Sequence, residues 1–190
     1  MKKRQYGVKK GQFGYINCQK RFTCIRTASY FGLSLLLYLI GLWSTGSNAN
    51  LLTVVAVLGC LPASKSLVNA IMFLKAKECS GTLHEQIEKV IGDMDGAYDM
   101  FLTSYEANYP LSHVVIRGGN VCGITESAQC DPEKAQKHLE TWFRQNSFTR
   151  LNYKIFTEEK KYIERLIQLQ RLEKNDEEAT QLALIRNLSL

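Results

Sequence analysis

The sequence predicts an α+β protein: a two-helix transmembrane hairpin followed by a small cytosolic α/β sandwich, with the order α-β-β-β-α-β-α-α in the second part. Three observations lead there. Residues 28–46 and 51–74 form two apolar runs separated by a short polar segment. Charge is sharply partitioned: residues 1–77 hold eleven Lys or Arg and no Asp or Glu, and all 18 acidic residues lie beyond. From residue 82 onward the apolar pattern switches between helical and strand periods over a length that supports one small domain.

The arm at 1–27 carries Lys2, Lys3, Arg4, Lys9, Lys10, Lys20, Arg21 and Arg26, with Tyr6, Phe13, Tyr15 and Phe22 between them. Such a segment could bind nucleic acid. Next to a membrane span it meets anionic headgroups first, so these residues are read as lipid contacts and topology determinants, with no nucleic acid expected. The span at 28–46 has no charge and places Tyr30 and Trp43 near its ends, where amphipathic rings favour the headgroup level. Ser47-Asn48-Ala49-Asn50 is a turn without a cation. The second span, 51–74, is followed by Lys75 and Lys77. Basic residues flank the outer ends of the hairpin (28–75) and are missing from its turn. Both termini are therefore expected in the cytoplasm of a multi-pass plasma-membrane protein. A cleaved signal peptide is the competing reading, and it fits poorly with an n-region of about 26 residues and a second span close behind.

Lys65 lies three residues after Pro62 inside the second run. An intramembrane cation either faces a polar path or an acidic partner, or ends the span and reaches the interface. Ser64, Ser66 and Asn69 beside it favour the second. Ala56, Cys60 and Ser64, with Gly59 and Ala63, and Gly32 and Gly41 on the first helix, are the small residues that would let the helices approach.

In the domain (78–190), Thr82 to Glu85 fits a capping box opening a helix with Leu83, Ile87, Val90 and Ile91 inward and Gly92 at its end. Asp93-Met94-Asp95-Gly96 is a turn whose glycine and twelfth position do not match a calcium loop. Strands follow at 98–104, 111–117 and 120–126. A Gly118-Gly119 loop pairs Arg117 with Asn120, Val115 with Cys122 and His113 with Ile124. One face then carries His113, Val115, Cys122, Ile124 and Glu126, the other Val114, Ile116, Val121 and Gly123, so both sides should be covered. Asp131-Pro132-Glu133 opens a helix to about 146 with Ala135, Leu139, Trp142 and Phe143 on one face. A fourth strand holds Leu151, Tyr153 and Ile155. Thr157 is expected to cap a helix burying Tyr162, Leu166 and Leu169. Asp176 is expected to cap a last one carrying Ala179, Leu182, Ala183 and Ile185 or Leu188, which either packs on the domain or extends to a partner.

The order α-β-β-β-α-β over 82–156 resembles the core of the restriction-endonuclease-like PD-(D/E)XK superfamily. That resemblance implies a divalent metal held by an acid near the second strand and a D/E-x-K at the end of the third. Here Ile124-Thr125-Glu126-Ser127-Ala128 offers Glu126 but puts Ala128 in place of the lysine, and Asp99 is the acid upstream, which implies a degenerate site reused for binding. The trio His113, Cys122 and Glu126 is a second constellation, readable as a metal site, as a Cys-His pair or as ordinary core residues. Catalytic candidates are thus Asp99, His113 and Glu126; no metal site and no cofactor are expected. The six cysteines form no C-x-x-C pair and, facing a reducing cytosol or lipid, are expected to be free; Cys18 and Cys24 stand where juxtamembrane palmitoylation could act. The run Asn50-Leu-Leu-Thr-Val-Val-Ala-Val-Leu-Gly-Cys-Leu-Pro62 and the strand Val121-Cys-Gly-Ile-Thr-Glu126 resemble uncharacterised small bacterial two-span membrane proteins. Three functions fit these features. The first is a membrane-tethered binding or adaptor module, whose partners would be the bilayer and another membrane or cytosolic protein or a second copy. The second is a membrane-anchored, metal-dependent nuclease-like enzyme. The third is an accessory subunit of a transporter with Lys65 in the path.

Overall fold

The computed structural model describes residues 7–47, 50–104 and 107–189. Lys2, Lys3, Arg4 and Tyr6, and Asn48 and Ala49 of the expected turn, lie outside the described residues. The chain divides into two compact units: Ile16–Ala76, and Met1–Tyr15 together with Lys77–Leu190.

The first unit is two helices, α1 (Tyr15–Thr45) and α2 (Leu51–Lys75), each long and apolar enough to cross a membrane. Helix α1 begins well ahead of the apolar run, so Lys20, Arg21 and Arg26 stand on a helix and not on a separate arm. Apart from Ile16, Thr23 and Phe73 toward the open end, the buried positions are small and most recur at heptad intervals: Thr27, Ser34 and Gly41 on α1, and Ala56, Ala63 and Ala70 with Ser66 on α2. The backbones come close enough that a Cβ on Gly59 would lie 2.7 Å from Ser34 Oγ, and one on Gly41 would lie 2.8 Å from Asn50 Oδ1. This corrects the expected stripe. Ser64 is exposed and bonds back to the Cys60 carbonyl, and Gly32 has nothing within 4 Å of an added Cβ. The seam runs through Ala56, Gly59, Ala63 and Ser66 instead. Asn50 organises the start of α2: its Oδ1 accepts from Thr53 N and its Nδ2 donates to Thr45 Oγ1 and the Ser47 carbonyl.

The second unit is built on a four-stranded sheet in the order β1 (Gly96–Thr103), β2 (Asn108–Arg117), β3 (Asn120–Ile124), β4 (Asn152–Phe156). The first three strands form an antiparallel meander, and β4 runs parallel to β3. The β2–β3 register is the expected one, Arg117 with Asn120 and His113 with Ile124. Gly118 and Gly119 both have positive φ, +54° and +73°, which a two-residue hairpin loop requires. Parallel pairing of β4 needs a crossover, supplied by α4 (Pro132–Gln145).

Both sheet faces are covered. On one, Val114, Ile116 and Val121 meet Ala135, Leu139 and Phe143 of α4 and Leu182 and Ile185 of α6 (Glu178–Leu188). On the other, Val115, Cys122 and Ile124 meet Leu83 and Ile87 of α3 (Gly81–Val90) and Tyr162, Leu166 and Leu169 of α5 (Glu159–Leu169). Each such side chain contributes about 1.5–3 kcal/mol by leaving water. The last helix therefore packs on the domain.

Three caps differ from expectation. Helix α3 is capped two residues earlier than expected, by Ser80, whose Oγ accepts from Leu83 N. The carboxylate on the Ser80 amide comes from Glu126 on another segment, not from Glu85. Helix α5 has Glu158 at its cap with no side-chain bond, so Thr157 does not serve. At α6, Asn175 and not Asp176 makes the box: its Oδ1 accepts from Glu177 N, and Glu178 reaches back to the Asn175 amide. Glu178 also accepts from Gly118 N and faces Arg117, whose Nε donates to the Leu172 carbonyl. The α5–α6 connection is thereby tied to the β2–β3 loop.

Candidate functional site

The acids singled out in the sequence converge on the backbone of one dipeptide. Asp99 sits in β1 with φ +55° and is 1% exposed. Its rotation interrupts β1 without shifting the register, since Tyr98 still pairs with His113 and Met100 with Leu111. The carboxylate accepts from Cys79 N through Oδ1 and from Gly14 N through Oδ2, both at 2.8 Å. Glu126 Oε2 accepts from Ser80 N at 3.0 Å and from Ser112 Oγ at 2.8 Å, and the Glu126 carbonyl accepts from Lys77 Nζ at 2.8 Å. Consecutive amides, Cys79 and Ser80, are thus held by two carboxylates, one within β1 and one just past the end of β3. Such charge-assisted bonds are the stronger kind.

The same fastening extends to residues 10–14. The Gly11 carbonyl accepts from Tyr98 N at 2.8 Å, Lys10 Nζ donates to the Ser189 carbonyl, and Phe13 stacks on His84 with ring centroids 4.0 Å apart. Ser189 Oγ accepts from Phe101 N, and Arg186 Nη2 donates to the Gly96 carbonyl. The free edge of β1 is therefore closed by the segment before α1 and by the end of α6, which blunts a strand edge that would otherwise pair with another chain. Lys10 is half-buried, and burial lowers its pKa. Its ammonium bonds within the domain, to the Ser189 carbonyl. Lys9 is exposed.

His113 is fully buried. Its Nδ1 lies 2.7 Å from Tyr162 Oη, and its ring lies 4.3 Å from that of Tyr98. Burial, with a smaller contribution from His84, lowers its pKa to about 3, so the ring is neutral. Its Nε2 has no hydrogen-bond partner among the described residues and lies against Gly96, where an added Cβ would be 2.2 Å away. Cys122 is buried on the same face, and burial raises its pKa. Burial, then the charges of Glu126 and Asp99, push the Cys79 thiol well above its ordinary value. Neither thiol is poised as a thiolate nucleophile. The His113, Cys122 and Glu126 trio therefore separates: two members are core groups, and Glu126 turns toward Ser80.

Among the described residues, no group of three or more His, Cys, Asp or Glu side chains converges as a metal site. Sequence reasoning located Asp99 and Glu126 but missed their partners, Gly14, Cys79, Ser80 and Ser112. The one local signal was the pair of glycines at Gly11 and Gly14, both at positive φ, which marks a folded segment and not an extended arm. Comparison with family models, with curated proteins and with solved structures finds no match to the chain.

Proposed function

We propose that this is a membrane-tethered binding or adaptor module: the hairpin anchors it in the bilayer, and the α/β domain presents its surface to a partner. One observation carries the reading. The two acids best placed for metal chemistry, Asp99 and Glu126, are each satisfied by the protein's own donors: backbone amides on the segments that immediately precede α1 and follow α2, and for Glu126 also the Ser112 hydroxyl in β2. A carboxylate already accepting two hydrogen bonds from a folded backbone must lose them before it can ligate a metal. In this reading the clasp fastens onto the domain the two segments that lead into and out of the anchor. Both termini lie on one side of a plasma membrane, set by the cations flanking the hairpin.

The nuclease-like alternative draws on the element order and on a β4 that runs parallel to β3 after the α4 crossover. One comparison decides between them. Full-length protein and its Glu126→Gln variant are assayed for hydrolysis of DNA and RNA with Mg²⁺ or Mn²⁺. The adaptor reading expects no metal-dependent cleavage by either. Cleavage that Glu126→Gln abolishes, in a variant that remains folded, establishes the enzyme instead.

A further inference from the structure

We infer that the hairpin carries a binding site for the phosphate of an anionic phospholipid, formed by Arg26 and Lys65 over the hydroxyls of Thr27 and Ser66. The inference deepens the membrane-tether reading and rests on it. Thr27 and Ser66 face each other across the two helices, Oγ1 to Oγ at 2.8 Å, and both are buried. Arg26 Nε donates to the same Ser66 Oγ at 3.2 Å, and its guanidinium lies over the Phe22 ring at 5.7 Å from the centroid. This holds the planar fork in place through its Nε edge, on the side away from its two terminal nitrogens.

Helix geometry brings Lys65 to the same place. In an antiparallel pair of right-handed helices, the residues that precede two facing positions fall on the same flank. Arg26 precedes Thr27, and Lys65 precedes Ser66, so both cations stand on one side of the contact, with Lys65 exposed. A fork and a point charge converging beside two hydroxyls match a phosphate better than a carboxylate, whose two oxygens the fork alone would satisfy.

The source of that phosphate follows from the level of the pair and from its flank. Eighteen positions separate Thr27 from Thr45 at the end of α1, a rise of ~27 Å, and fifteen separate Leu51 from Ser66, ~23 Å. With the turn at one interface of a ~30 Å hydrocarbon core, the pair lies toward the other, close enough for side chains as long as Arg and Lys to reach its headgroups. Toward the turn the same flank continues as Tyr30, Leu33 and Leu58, all exposed, a surface suited to an acyl chain. No acidic residue occurs in 1–77 to neutralise the two cations, which leaves an anionic headgroup as the complement.

The test uses full-length protein extracted in neutral detergent, washed, and exchanged against equal phosphatidylglycerol and phosphatidylcholine. Lipid retained per chain is read by mass spectrometry, and the fraction of chain in membranes is recorded before extraction. Retention of about one phosphatidylglycerol in preference to phosphatidylcholine is expected. It should fall roughly fivefold in Arg26→Gln and about 25-fold in Arg26→Gln/Lys65→Gln, at about 1 kcal/mol per cation. Arg21→Gln, the same charge change on the opposite flank, should retain lipid as the parent does. Equal loss in Arg21→Gln, no loss in the double variant, or displacement of the lipid by millimolar inorganic phosphate overturns the proposal while leaving the tether intact. A chain found in the aqueous fraction overturns the tether reading and this site with it.

Discussion

Replacing Asp99 by Ala probes the clasp that fastens the two segments bordering the hairpin. Two bonds from backbone amides to a buried carboxylate are removed, and Gly14 N and Cys79 N are left without acceptors. Bonds to a charged group contribute about 1.5–3 kcal/mol each. Alanine also lacks the local tolerance of the left-handed region that Asp has at φ +55°, a further ~1 kcal/mol. The expected loss is about 4–7 kcal/mol, comparable to the whole stability of a small domain. Asp99→Asn keeps the backbone preference and one acceptor, so it should cost roughly half as much. The assay is urea unfolding of the full chain in mild detergent, followed by hydrogen exchange at the two amides. Asp99→Ala should shift the midpoint most, and Gly14 and Cys79 should lose protection while Val115 and Ile124 keep theirs. A loss under about 1 kcal/mol, with both amides still protected, would refute the reasoning.

Acidification supplies a second prediction. His113 is neutral in the fold, with its pKa lowered to about 3, against about 6.5 when unfolded, so the unfolded chain binds the extra proton. Stability should be constant in this respect above pH 7 and decline below about 6.5 at up to 1.4 kcal/mol per unit until about pH 3. Burial lowers His138 as well and adds a smaller loss of the same sign. His113→Phe should flatten the profile between pH 6 and 4, and an unchanged slope in its urea midpoints would rule the histidine out. Gly96→Ala drives a Cβ against His113 Nε2 and should destabilise by about 1–3 kcal/mol; in a double-mutant cycle with His113→Ala the losses should be strongly non-additive. Cys24 is exposed and should react with a water-soluble maleimide in native protein, whereas Cys79, Cys122 and Cys130 should react only after unfolding, as read by mass shift.

What could be read from the residues was local. The β2–β3 register followed from Gly118-Gly119, because a two-residue loop leaves one pairing and the apolar residues on both faces agree with it. Asp131-Pro132 marked α4 because cap and first-turn proline act within three residues of one another. Where two capping residues stood close together, as Ser80 and Thr82 or Asn175 and Asp176, tertiary contacts chose between them: Glu126 supports Ser80, and Glu178 supports Asn175. Asp99 shows the limit most plainly. Nothing in Tyr98-Asp99-Met100 announces a left-handed residue inside a strand, since its partners lie 20 and 85 positions away in the chain. The helix seam was misplaced by one residue for a related reason. Composition shows that small residues are present, and only the facing helix, through Ser34 against Gly59, decides which of them are inside.

The proposed role is that of a domain serving a partner at the membrane. It is tested most directly by native mass spectrometry of the full-length protein released from its own membranes in mild detergent. The account predicts a second protein in fixed stoichiometry with the chain. A chain recovered alone, as monomer or homo-oligomer, at every detergent concentration that preserves its fold would contradict it.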